Sequence, residues 1–165
     1  MGLTQGMQPI AGYNYGAMKL DRLMKVLNLA VVAGTCITTV GFLVAEFIPE
    51  ECARLFTTDE QLIALSVNGL RIMMAAFVFV GSQMVIANFF QSIGKAKVSM
   101  FLSLSRQMIF LLPMLLLLPL FMGVDGIWWA MPISDLIAEC VAVALMVAYM
   151  KKFKEQHKMI ANGEQ

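Results

Sequence analysis

Charge is scarce in this 165-residue chain: Asp, Glu, Lys and Arg make up 14% of it, against 59% hydrophobic residues and a mean hydropathy of +0.76. Soluble domains carry about a quarter charged residues, so the balance excludes an ordinary soluble protein and describes an integral membrane one. A net charge of +1 leaves no electrostatic footprint for a nucleic acid, and none is expected as a partner. The three cysteines form neither a disulfide framework nor a metal spacing, since Cys36 and Cys140 fall in apolar runs and Cys52 in a polar loop. The single histidine, His157, stands near the C-terminus, and the sequence has no Gly-rich phosphate loop and no Ser-His-Asp set. An intramembrane aspartyl protease needs two facing aspartates, whereas Asp135 is the only one inside an apolar span. No catalytic residue, metal or organic cofactor is therefore expected. The N-terminus lacks the basic-then-apolar pattern of a secretory signal, and Gly6 stands where an acylation signal needs Ser or Thr.

What the chain has in abundance is uninterrupted apolar sequence. From Met108 to Met122 no side chain is polar. As a helix, the stretch from Val98 to Met122 extends ~37 Å, enough to cross a ~30 Å hydrocarbon layer, with a bend expected near Pro113. Three further spans are predicted, over Val26 to Ile48, Leu62 to Ile93 and Ile127 to Met150, with a partial helix before Gly16. In the first, Gly34, Thr38 and Gly41 form a small ridge that lets a neighbouring helix approach closely. In the second, Asn68, Arg71, Ala75 and Ser82 repeat at helical spacing and should face other helices. Thr58 is the expected N-cap of that span, followed by acidic residues in its first turn. Trp128 and Trp129 are placed as interfacial anchors of the last span.

Lys and Arg cluster before the first full span, in the turn holding Lys95 and Lys97, and beyond Met150, while the other two connections hold only Arg54. The positive-inside rule then puts both ends and the Lys95 turn on the cytoplasmic side of a bacterial-type inner membrane. The expected organisation is a bundle over residues 18–150 followed by a basic tail over 151–165.

Polar groups inside the spans are few. Ala130, Ser134, Ala138 and Ala142 step by four along the last span, and Asp135 and Glu139 occupy the adjacent ridge. Intramembrane carboxylates pair, bind cations or take up protons, so Arg106, Asp135 and Glu139 are candidates for buried pairing or ion coupling, with both roles open. Counted along antiparallel helices, Arg106 lies ~13 Å from the cytoplasmic surface, Glu139 ~18 Å and Asp135 ~24 Å, which makes Glu139 the expected partner of Arg106. Glu46 and Arg71 lie near the opposite surface and form a candidate structural ion pair.

The run Gln8-Pro9-Ile10-Ala11-Gly12-Tyr13-Asn14-Tyr15-Gly16-Ala17, followed by a basic segment from Lys19 to Lys25, resembles the end of the eighth helix of the multidrug and toxic compound extrusion (MATE) transporters. Matches follow in the family's order at Leu55-Phe56-Thr57-Thr58-Asp59, Leu70-Arg71, Phe90 to Lys95, Ser105-Arg106-Gln107, Gly126-Ile127-Trp128 and Pro132-Ile133-Ser134-Asp135. The resemblance implies an all-α membrane protein: residues 1–17 end a truncated helix, and about four full spans build part of the C-terminal lobe of a twelve-helix, two-lobe transporter. It further implies export of organic cations or drugs in exchange for sodium ions or protons, the coupling ion being open. The implied partners are membrane lipid, small organic substrates and the N-terminal part of the transporter. Candidate cavity-lining residues are Gln8, Tyr13, Asn14, Ser82 and Gln83. A lipid or polysaccharide flippase of the same architecture, and a non-transporting remnant or accessory subunit, are the alternatives.

Overall fold

A backbone surrounded by hydrocarbon has to satisfy its hydrogen bonds within its own segment, and the apolar runs accordingly become helices. The computed structural model describes residues 2–161, and side-chain surroundings through residue 155. In order, the elements are α1 (Gly2–Gly16), α2 (Leu20–Phe47), α3 (Pro49–Arg54), α4 (Glu60–Met74), α5 (Phe77–Ser92), α6 (Ala96–Leu104), a π-helical segment (Ser105–Leu111), α7 (Leu112–Met122) and α8 (Val124–Ala161). There is no strand among the described residues. Among the described residues three continuous stretches are long and apolar enough to cross a membrane: Leu20–Phe47, Ala96–Met122 and Val124–Glu155. A fourth crossing is available if α4 and α5, bent by 47° where they meet, act as one span.

That bend departs from the unbroken helix expected between Leu62 and Ile93. Neither glycine nor proline marks it. Around Ala75 and Ala76 the amides of Ala75 and Phe79 reach back only three residues, to Ile72 and Ala76, and this tightening turns the axis. A ridge counted straight through the bend therefore fails: Asn68, Arg71 and Ala75 are exposed, while Ile63 and Gly69 are buried. A β-carbon at Gly69 would overlap the Trp128 ring, so this indole packs closely against α4. The helix begins one residue later than expected, capped by Asp59, whose carboxylate accepts from the amides of Gln61 (2.9 Å) and Leu62 (3.4 Å). A carboxylate at the positive end of a helix outcompetes the neighbouring Thr58 hydroxyl. The polar connection before it folds into the short α3, where Arg54 and Glu50 pair at 2.8 Å one turn apart.

The small ridge of α2 lies against α5. A β-carbon at Gly81 would come within 2.5 Å of the Gly34 carbonyl oxygen, and one at Gly34 within 3.2 Å of the Gly81 carbonyl, so the two backbones meet there. Thr38 Oγ1, 3.1 Å from the Val78 carbonyl, joins the same crossing. On α8 the other small ridge is closed as well: Ala130, Ser134, Ala138 and Ala142 are all between 0% and 2% exposed. The core runs between α1, α2, α5 and α8 and includes Met7, Leu23, Phe89, Phe90, Met146 and Phe153. Tyr15 and Tyr149 hydroxyls meet at 2.9 Å, and the Tyr15 ring stacks on Phe153 at 5.0 Å, fastening α1 to α8. Phe153 lies beyond the expected bundle limit at residue 150, and α8 continues through it to Ala161, so that limit is no structural break. Residues 162–165 of the expected tail lie outside the described residues.

Proline at 113 would remove one amide from an α-helix and press its ring on the carbonyl four residues earlier, at Ile109. The chain accommodates it by widening into the π-helical turns of Ser105–Leu111 immediately before it, where a bend was expected. Reversals at Gly94 and Gly123 use positive φ values of 76° and 62°, which suit glycine.

Candidate functional site

The widened turn holds Arg106, and next to it lies a cavity of about 490 Å³ between α5, α6, the π-helical segment and α8. Side chains one turn apart form its walls: Gln83 with Ala87 and Met84 with Asn88 from α5, Ser103 with Gln107 across the π-helical segment, and Met131 with Asp135 from α8. The lining mixes three amides, a hydroxyl, a guanidinium and a carboxylate with apolar groups, which is the composition of a small-molecule site.

Arg106 Nε donates to Asp135 Oδ1 at 2.8 Å, with side-chain exposures of 36% and 12%. This corrects the expected partner, Glu139. Depth along a helix gives axial position but not direction around it, and the π-helical turn re-aims Arg106 toward the residue one turn farther out. Among the described residues the rest of the guanidinium has no hydrogen bond, and it lies on the cavity wall.

Glu139 belongs to a different contact. Its Oε1 lies 2.6 Å from Ser82 Oγ, which lies 2.9 Å from the Phe79 carbonyl oxygen, and its Oε2 is buried without a hydrogen-bond partner among the described residues. A hydroxyl has one proton, and here it faces two acceptors. As a carboxylate Glu139 accepts this proton from Ser82; as a carboxylic acid it would donate to Ser82 and leave the Ser82 proton for the carbonyl.

Of the other sequence candidates, Gln83 is buried on the cavity wall, and Gln8 reaches that wall indirectly, with Nε2 3.4 Å from Asn88 Oδ1. Tyr13 is 70% exposed and Asn14 is buried, and neither lines the cavity. The Asn14 amide turns back on its own helix to donate to the Ile10 carbonyl at 2.8 Å. Arg71 and Glu46 stand 3.9 Å apart, both about half exposed, away from the cavity. Asn88, Ser103 and Gln107 were not singled out as lining residues. Their placement a turn from Met84 and on either side of Arg106 is the signal that would have found them.

The chain matches the family model described as MatE over residues 1–117. The multidrug export protein MepA of Staphylococcus haemolyticus (strain JCSC1435) is 25% identical over 153 residues, covering 90% of this chain and 32% of that protein. The structure of the MATE multidrug transporter DinF-BH in complex with R6G superposes with a TM-score of 0.84 at 39% identity, covering 90% of this chain and 33% of the other. An inward-facing conformation of a multidrug resistance MATE family transporter of the MOP superfamily superposes with a TM-score of 0.88 at 19% identity, covering 94% and 36%. The chain thus spans about a third of the length of the relatives it matches.

Proposed function

Because the chain belongs to the MatE family, the multidrug and toxic compound extrusion transporters, we propose that it forms most of the C-terminal lobe of a secondary exporter that moves organic cations or drugs out of the cell by antiport. The observation that carries this reading is the Arg106–Asp135 pair on the wall of a cavity of mixed polar and apolar lining inside an otherwise apolar bundle. Charges at such depth are costly and persist where a path for polar solutes requires them. The asymmetric engagement of the two carboxylates supports a proton as the coupling ion: Asp135 is held by a cation, while Glu139 has no cation beside it among the described residues, only the Ser82 hydroxyl on one oxygen, and its other oxygen is buried without a partner.

Alternating access requires two lobes rocking about a shared site. Expressed alone in cells stripped of their own exporters, this chain is expected to leave ethidium accumulation unchanged. Grafted in place of the matching third of a MATE exporter, it is expected to restore extrusion. A graft that reaches the membrane in normal amounts and extrudes nothing would overturn the proposal.

The placement of both ends of the chain in the cytoplasm rests on the lysine distribution. With Cys36, Cys52 and Cys140 replaced by serine, Lys95→Cys and Lys154→Cys should label from the cytoplasmic side and Asp59→Cys from outside. Cytoplasmic labelling at position 59 would reverse the assignment.

A further inference from the structure

A second groove, of about 380 Å³, shares no lining residue with the Arg106 cavity and runs between α2 and α8. Its apolar walls include Leu27, Ile86, Met146 and Met150, all buried, and at one end it meets Lys151 and Lys154, both exposed. The register of α8 explains this. Val147 to Lys151, and Met146 to Met150 to Lys154, are steps of four on one side of the helix, so the groove passes from hydrocarbon-type side chains to two ammonium groups along one face. Lysine stems can lie along apolar surface while the ammonium reaches the headgroup level.

The charge around this end is one-sided. The N-cap and first turns of α2 add Lys19, Arg22 and Lys25, and Met24 from the same turns lines the groove. Asp21 and Glu155 are the carboxylates of these two stretches, and neither Lys151 nor Lys154 is in an ion pair among the described residues. On the same two helices Leu29, Val32 and Val143 are exposed apolar residues, as is Val147 in the groove wall.

We propose that this groove is a binding site for an anionic phospholipid, one acyl chain lying against Met146, Met150 and Ile86 and the phosphate held between Lys151 and Lys154. A zwitterionic headgroup would bring its own cation into an excess of positive charge, whereas an anionic one is attracted by about fivefold per nearby lysine.

The test uses the full chain, purified in mild detergent and helical by circular dichroism, with phosphatidylglycerol or phosphatidylcholine added and the bound lipid counted by native mass spectrometry. Phosphatidylglycerol occupancy is expected to exceed that of phosphatidylcholine by about tenfold, and Lys151→Gln/Lys154→Gln to bring the two within about twofold. Val147→Trp, which narrows the groove and keeps both lysines, should also lower phosphatidylglycerol occupancy. Equal retention of both lipids by the unaltered chain, or undiminished phosphatidylglycerol binding by the double-lysine variant, overturns the site.

Discussion

Asp135→Asn in the assembled exporter is expected to reduce substrate extrusion by about tenfold or more and to destabilise the bundle by about 2 kcal/mol. Asparagine keeps the volume and an acceptor oxygen but not the charge, leaving the Arg106 guanidinium uncompensated. At 36% and 12% exposure the pair lies between a surface pair, which contributes little, and a fully buried one, whose breakage costs about 3–5 kcal/mol. Arg106→Gln should destabilise in the same direction. Combining the two should recover much of the lost stability without recovering transport, because removing a pair costs less than orphaning half of it while the cavity still loses both its charges. A double-mutant cycle on unfolding in detergent reads the coupling. Additive single effects would remove the pair from the account.

Glu139→Gln is expected to fold, reach the membrane in normal amounts and lose pH-driven export altogether. The glutamine amide can donate to Ser82 Oγ as a protonated carboxyl would, so the 2.6 Å contact between α5 and α8 survives in one fixed state. What is lost is the ability to exchange the proton. Ser82→Ala removes one hydrogen-bonding group, a loss of about 1 kcal/mol, and should move the midpoint of the pH profile of export while leaving transport measurable. Export by Glu139→Gln with an unaltered pH profile would show that this carboxylate is structural.

The spans were legible in the sequence because hydrocarbon leaves the backbone one local option, and the closed ridge of α8 was legible because Ala130, Ser134, Ala138 and Ala142 have no bulk to point elsewhere. The bend at Ala75 was not, since two alanines carry no signal of the three-residue hydrogen bonds that turn the axis there. The identities of the charged residues were legible and their pairing was not. Arg106, Asp135 and Glu139 were recognisable as costly residues in an apolar setting, but counting residues returns depth alone. Which carboxylate the guanidinium meets depends on rotation about two axes, and a local change of winding alters that rotation. Asn14 shows the same gap: an amide can turn back on its own helix, and no periodicity distinguishes that from one turned outward.

The π-helical turns of Ser105–Leu111 have a consequence for comparing this chain with its relatives. A π-type hydrogen bond spans five residues where an α-type one spans four, so the segment acts as a single-residue insertion stored inside a continuous helix. Facing patterns read from α6 and from α7 are out of phase by about 100°, the angle one residue subtends at 3.6 per turn. A relative with one residue fewer here would keep every contact of α6 and α7 yet present a different side chain at the place Arg106 occupies. A gap of a single position in an alignment, easily dismissed as noise, would then mark the gain or loss of the charge on the cavity wall.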